Sequence, residues 1–112
     1  MSTVVSLGYM RNRFAFRVTN TGGTDLAIDE VYLTFPSDNS TLLEVSLPPY
    51  FMWQGEKTSP ATVDTPYNTL QDLKAGESVI MYIIFENVAE PTDYYIKVTF
   101  DDASFAELTI PA

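Results

Sequence analysis

The chain has 112 residues, sized for a single domain over residues 1–112, and its 46% hydrophobic and 13% aromatic content is too apolar for a disordered segment. Six cations stand against 15 carboxylates, a formal net charge of −9, which disfavours a nucleic-acid partner because phosphate binding needs a clustered basic face. Histidine and cysteine are both absent, which removes disulfides, thiolate and His-assisted nucleophiles and the commonest zinc ligands, so no catalytic residue, metal site or cofactor is expected.

The dominant period along the chain is two. The first strand is expected over residues 3–9. In Arg13-Phe14-Ala15-Phe16-Arg17-Val18-Thr19, Phe14, Phe16 and Val18 share one face and Arg13, Arg17 and Thr19 the other, the pattern of a half-buried strand. Asn20-Thr21-Gly22-Gly23-Thr24-Asp25 follows as a turn. The next strand spans roughly 28–35, with Val31, Leu33 and Phe35 inward, and Pro36-Ser37-Asp38-Asn39-Ser40 closes it. Leu43, Val45 and Leu47 alternate with Glu44 and Ser46 until Pro48 and Pro49 stop the strand. Residues 50–72 read as irregular, with one short strand near 61–64. After the Lys74-Ala75-Gly76-Glu77 turn, residues 78–85 are apolar on both faces, which places them mid-sheet with the outer face also covered, by the fold or by a partner. Tyr94, Ile96, Val98 and Phe100 alternate with Tyr95, Lys97 and Thr99; Asp101-Asp102-Ala103-Ser104 makes a tight connection, and residues 105–110 return. About seven strands with turn signals every 8–12 residues and no helical stretch predict an all-β, immunoglobulin-like antiparallel β-sandwich.

Three stretches carry a family likeness: Phe16-Arg17-Val18-Thr19-Asn20-Thr21-Gly22, Leu73-Lys74-Ala75-Gly76-Glu77-Ser78 and Tyr94-Tyr95-Ile96-Lys97-Val98-Thr99-Phe100-Asp101. Together they resemble the immunoglobulin-like modules of prokaryotic cell-surface proteins: the adhesion-related CARDB modules and the β-sandwich domains of type IV pilin-like and archaellum-associated proteins. The segment 48–72 is longer than in the compact modules. The resemblance implies display at the cell surface or outside the cell, and contact with a protein partner, a filament neighbour or a glycan, without catalysis. The longest apolar run, residues 79–85, is far short of the roughly 20 residues a membrane span needs. Residues 1–5 lack the charged and apolar regions of a secretory signal. Membrane contact is therefore expected only through a segment outside this chain; either the protein stays inside the cell or an export segment has been trimmed from it, and a Met1 that leads straight into a strand suits trimming.

Five groups of residues invite a functional reading. Pro48-Pro49-Tyr50-Phe51-Met52-Trp53 concentrates aromatics outside the expected strands. It reads either as a plug over an open end of the sandwich or as a contact surface, because aromatics bring large apolar area at small entropic cost. In the contact reading Tyr50, Phe51 and Trp53, with Tyr67, are candidate binding residues and stacking platforms for sugar rings. The turn carboxylates, among them Asp25, Asp101 and Asp102, could converge on calcium, but no Asp-x-Asp-x-Asp-Gly loop exists, and acidic turns for solubility are the expectation. Asn39-Ser40-Thr41 fits the glycosylation acceptor pattern and is expected to be an ordinary turn. Arg11, Arg13 and Arg17 are half of the cations and lie close together. Cross-strand pairing with outward Glu or Asp is expected for them; the alternative is a docking strip for an acidic partner. Tyr94 or Tyr95 is expected to play the structural part of a corner tyrosine.

Overall fold

Alternation in the sequence becomes alternation in space. The computed structural model describes residues 2–10, 13–35, 41–47, 50–64, 72–86 and 94–110, and these hold ten strands and no helix. In chain order the strands are β1 (Ser2–Met10), β2 (Arg13–Asn20), β3 (Leu26–Thr34), β4 (Leu42–Leu47), β5 (Tyr50–Lys57), β6 (Ala61–Asp64), β7 (Asp72–Leu73), β8 (Ser78–Phe85), β9 (Tyr94–Phe100) and β10 (Phe105–Ile110). β2 buries Phe14, Phe16 and Val18 and exposes Arg13 and Arg17; β9 buries Tyr94, Ile96, Val98 and Phe100 and leaves the residues between them half-buried.

The strands form two antiparallel sheets, the first in the order β1-β2-β8-β4-β5 and the second β10-β9-β3-β6, with the short β7 also paired to β3. The buried faces of the two sheets make the core. Val18, Met81, Ile83 and Phe85 enter it from the first sheet, and Val31, Leu33, Val98 and Phe100 from the second. An aromatic cluster ties the sheets together: Phe14 and Tyr94 stand with ring centroids 4.7 Å apart, and Phe35 and Phe85 5.0 Å apart. This is a β-sandwich, as the period-two pattern predicts.

β8 occupies the centre of its sheet, between β2 and β4, as its two apolar faces require. Its second face is only partly covered: Tyr82 and Ile84 are half-buried, and Ile80 is 43% exposed. The aromatic stretch expected to be irregular is instead the edge strand β5, laddered to β4. Register shifts between Leu42 and Glu44 and between Val45 and Ser46 break the period along this pair, which is why alternation does not reveal it.

One polar residue is fully buried with all its groups engaged. Asn20 ends β2; its amide Nδ2 donates to the carbonyls of Thr24 and Leu73 at 2.8 and 2.9 Å, and its Oδ1 accepts from Gly22 N at 3.0 Å. Its backbone N donates to Glu77 O and its carbonyl accepts from Gly76 N. Asn20 thus joins the β2 turn of the first sheet to β7 in the second and to the turn that launches β8. Gly76 has φ +80°, a conformation that glycine adopts without strain. At the same end, where β3 begins, Asp101 bridges to β3: its Oδ1 accepts from Ala27 N at 3.0 Å and its own N donates to Ala27 O at 2.9 Å.

Candidate interaction face

The outer surface of the first sheet is ordered by its ladders into rows. Val5, Arg17 and Ile80 lie across β1, β2 and β8 in one row, and Ala15 and Tyr82 in the next. Arg13, Ile84, Glu44 and Gln54 continue the pattern across β2, β8, β4 and β5. Val5 and Ile80 are each 43% exposed and Leu7, at the β1 bulge, 42%. The small Ala15 stands between Tyr82 and β1, and the Arg13 guanidinium lies over the Tyr82 ring, 4.7 Å from its centroid. Gln54 donates to Glu44 at 2.9 Å.

The expected pairing of the arginines with outward acids does not occur in the ladders. Arg17 is flanked by Val5 and Ile80, and Arg13 by Met10 and Ile84, because strand order sets β2 between two strands that contain no carboxylate. Arg11 lies outside the described residues.

The other outward surface has contacts of its own, although Phe105 on it is 48% exposed. On the second sheet the Tyr95 hydroxyl donates to Glu107 at 2.5 Å, Tyr32 and Tyr95 meet edge to face at 6.1 Å, and the Lys97 ammonium lies 4.6 Å from the Phe105 ring centroid. The bond to Glu107, with desolvation and the charge of Glu107 adding to it, pushes the Tyr95 phenol up from 10.0 to about 12. The tyrosine expectation thus divides in two: Tyr94 packs in the core cluster, while Tyr95 bonds a neighbouring strand on the outer face.

Among the candidate binding residues, Trp53 sits half-buried on β5, packed against the core. Its ring lies so close to Gly55 that a Cβ there would approach Cζ2 at 2.7 Å, and the Lys57 ammonium lies 5.8 Å from the ring centroid. Tyr50 and Phe51 belong to β5 by backbone; their side chains, and all of Tyr67, lie outside the described residues, as do Asn39 and Ser40.

The described turn acids are engaged by backbone amides. Asp25 accepts from Ala75 N at 3.2 Å and Asp101 from Ala27 N. Asp102 accepts from both the N and the Oγ of Ser104, which holds its carboxyl below the usual carboxylate range, the Oγ contact contributing most. No group of three potential ligands that could hold a metal ion occurs among the described residues. An interior void lined by Phe14, Phe85, Tyr94 and their neighbours measures about 10 Å³, no room for a substrate. An open depression beside Ser2 and residues 103–107 contains one carboxylate, Glu107, already bonded to Tyr95, so no acid–base pair is assembled there.

The fold therefore defines an all-β, two-sheet sandwich domain, and this rests on its own sheet order. No protein-family model and no curated protein matches the chain. Among solved structures, the archaellum periplasmic stator protein FlaG from Sulfolobus acidocaldarius is similar over 96% of this chain and 98% of its own, at 13% identity and a TM-score of 0.49. A family GH18 chitinase from Chromobacterium violaceum aligns with 96% of this chain at 11% identity and a TM-score of 0.46, and a GH20 exo-β-N-acetylglucosaminidase from Vibrio harveyi with 98% at 12% and 0.40. The chain spans only 18% and 17% of those two enzymes.

Proposed function

We propose that this chain is a non-enzymatic structural or protein-interaction module of a cell-surface or pilus-like filament protein. The outer face of the first sheet carries this reading. Val5, Leu7 and Ile80 stand open beside Arg13, which lies over Tyr82, and Arg17, whereas on the second sheet Tyr95 bonds Glu107 and Lys97 lies over the exposed Phe105. Grouped aliphatic exposure on a rigid sheet is the usual mark of a contact surface, and arginine is enriched in such contacts. The mechanism is presentation: two sheets joined by an aromatic core hold one face for a protein partner. The likeness of the three sequence stretches to surface-protein modules supports an extracellular or envelope location.

The test is a photoreactive residue placed at Ile80, with Thr62, on the outer side of β6, as the control position. In envelope or filament preparations the Ile80 probe is expected to crosslink a protein neighbour and the Thr62 probe to give none. Equal labelling from both positions, or none, ends the reading.

Glycan binding through Tyr50, Phe51, Trp53 and Tyr67 is the second reading. The half-buried ring of Trp53, with Gly55 and Lys57 against it, weighs against this, since a stacking platform needs an open ring face. Trp53 is the single tryptophan, so its fluorescence reports directly. A saturable shift with any member of a glycan panel would favour this second reading.

A further inference from the structure

The charges of this chain are divided along its length. Residues 1–24 carry Arg11, Arg13 and Arg17 and no carboxylate, a formal +3; residues 25–112 carry three lysines and all 15 carboxylates, a formal −12. The fold keeps the first group apart. β1, β2 and β8 lie side by side, and Arg13 and Arg17 are the only charged residues in these three strands. Along β8 the nearest acids are Glu77 and Glu86, just past its two ends, and Glu77 accepts from Lys74 N. Across the sheet the next is Glu44 on β4, which accepts from Gln54.

The two arginines are not equivalent. Arg13 lies over the Tyr82 ring and stands at the end of β2 that faces Glu86. Arg17 is in the middle of the strip, directly between Val5 and Ile80, each 43% exposed. No carboxylate occupies a ladder position beside it. What fits Arg17 is a carboxylate with aliphatic neighbours of its own. The guanidinium is weakly hydrated and forks onto carboxylates, and Val5, Leu7 and Ile80 gain by leaving water.

Width and composition choose the carrier of that carboxylate. Three strands span about 10 Å, whereas the molecule measures 40 × 26 × 22 Å and carries −9 overall. An anionic membrane meets the strip as a plane and brings its charge within a few screening lengths of the acidic remainder, each about 8–10 Å. An acidic polysaccharide supplies carboxylates but sets hydroxyls against the three aliphatic side chains. A polypeptide segment is narrow enough to face the strip alone, and acids interspersed with Val, Ile or Leu supply both kinds of contact.

We infer that the β1-β2-β8 face docks an acidic, aliphatic segment of another protein, with one carboxylate seated on Arg17 between Val5 and Ile80. The inference rests on the reading of this face as a contact surface and adds the chemistry of its occupant.

The photoreactive residue at Ile80, in the whole chain and in envelope or filament preparations, tests this as well. Mass spectrometry of the crosslinked product is expected to place the attachment point beside an Asp or Glu and an aliphatic residue, in a protein other than this chain. Arg17→Glu, which sets like charges together, is expected to cut the crosslink yield about tenfold. Arg17→Gln, which removes the charge without reversing it, should cut it about threefold. Lys97→Glu makes the same change in net charge as Arg17→Glu on the second sheet and is expected to leave the yield unchanged; melting curves check that each variant is folded. Raising sodium chloride from about 0.1 to about 1 M shortens the screening length from ~10 to ~3 Å and is expected to lower the yield several-fold. An attachment site without acids, a second copy of this chain as the product, a yield indifferent to both Arg17 variants or to salt, or an equal loss from Lys97→Glu would each overturn the inference. All of these leave the proposed function standing, because a protein still occupies the face. Cosedimentation of the wild type with phosphatidylglycerol–phosphatidylcholine vesicles, abolished by Arg17→Glu, would overturn it in favour of a membrane. No crosslink from Ile80 at all ends both readings.

Discussion

The two outward surfaces of this sandwich obey the same pleat and end in opposite conditions. On the second sheet, Tyr95 reaches Glu107 and Lys97 covers Phe105, so polar and aromatic groups satisfy one another across β9 and β10. On the first sheet, Arg13 lies over Tyr82, but Val5, Leu7 and Ile80 face solvent and Arg17 sits between aliphatic neighbours. On the second sheet Phe105 remains 48% exposed, but a cation lies over its ring. A face that groups aliphatic side chains and cations without carboxylates is suited to a partner.

Four changes sharpen or break this contrast, and the largest effect comes from what both faces share. Phe85 is fully buried and contacts rings from both sheets, so Phe85→Ala is expected to cost about 3–5 kcal/mol in denaturant unfolding and to loosen both surfaces together. Asn20→Ala removes the joint between the sheets and leaves the buried Leu73 carbonyl without its donor, for an expected loss of about 1–3 kcal/mol in the same measurement. An effect confined to one sheet in either variant would show that the two faces are held independently.

The smaller effects separate the faces. Tyr95→Phe removes the hydroxyl bond to Glu107 on the second sheet, with an expected loss of about 0.5 kcal/mol, the low end for an exposed bond. Its sign with pH is fixed. The folded value, about 12, lies above the ordinary 10.0, so the contribution is complete below pH 10 and lost as pH rises through 12. Ultraviolet titration should therefore show one late tyrosinate that is missing in the variant. Ile80→Thr, on the first sheet, is expected to leave stability within about 0.5 kcal/mol. It should reduce retention on a hydrophobic-interaction column, an effect that Thr62→Ser on the opposite sheet should not reproduce.

Most of the scaffold was legible along the chain. Strands β2, β3 and β9 announce themselves by alternation and β8 by its apolar run; the alternation expected for β4 is out of phase, since Leu42 and Ser46 are buried with Val45 while Leu43 is half-buried, because register shifts interrupt that strand. β5 escaped because two register shifts against β4 and the prolines before it disrupt the pattern, and β7 is too short for any period. Asn20 stood in the sequence as an ordinary turn residue; only the approach of Leu73, 53 positions away, makes it a buried junction. Among the site candidates, Trp53 was visible as an aromatic, but not its contact with Gly55 and Lys57, which depends on the strand that alternation missed.

The primary sequence by itself determined that this is an all-β sandwich with no histidine or cysteine chemistry, because side-chain period and composition are local properties. The tertiary structure alone decided which outward residues become neighbours. Arginine and carboxylate alternate outward on their several strands and nothing in the sequence forbids them to pair, yet the order β1-β2-β8 seats both described arginines between strands that carry no acid. Strand order is a long-range choice fixed by core packing, and it set a carboxylate beside a tyrosine on one face and arginines among aliphatic side chains on the other.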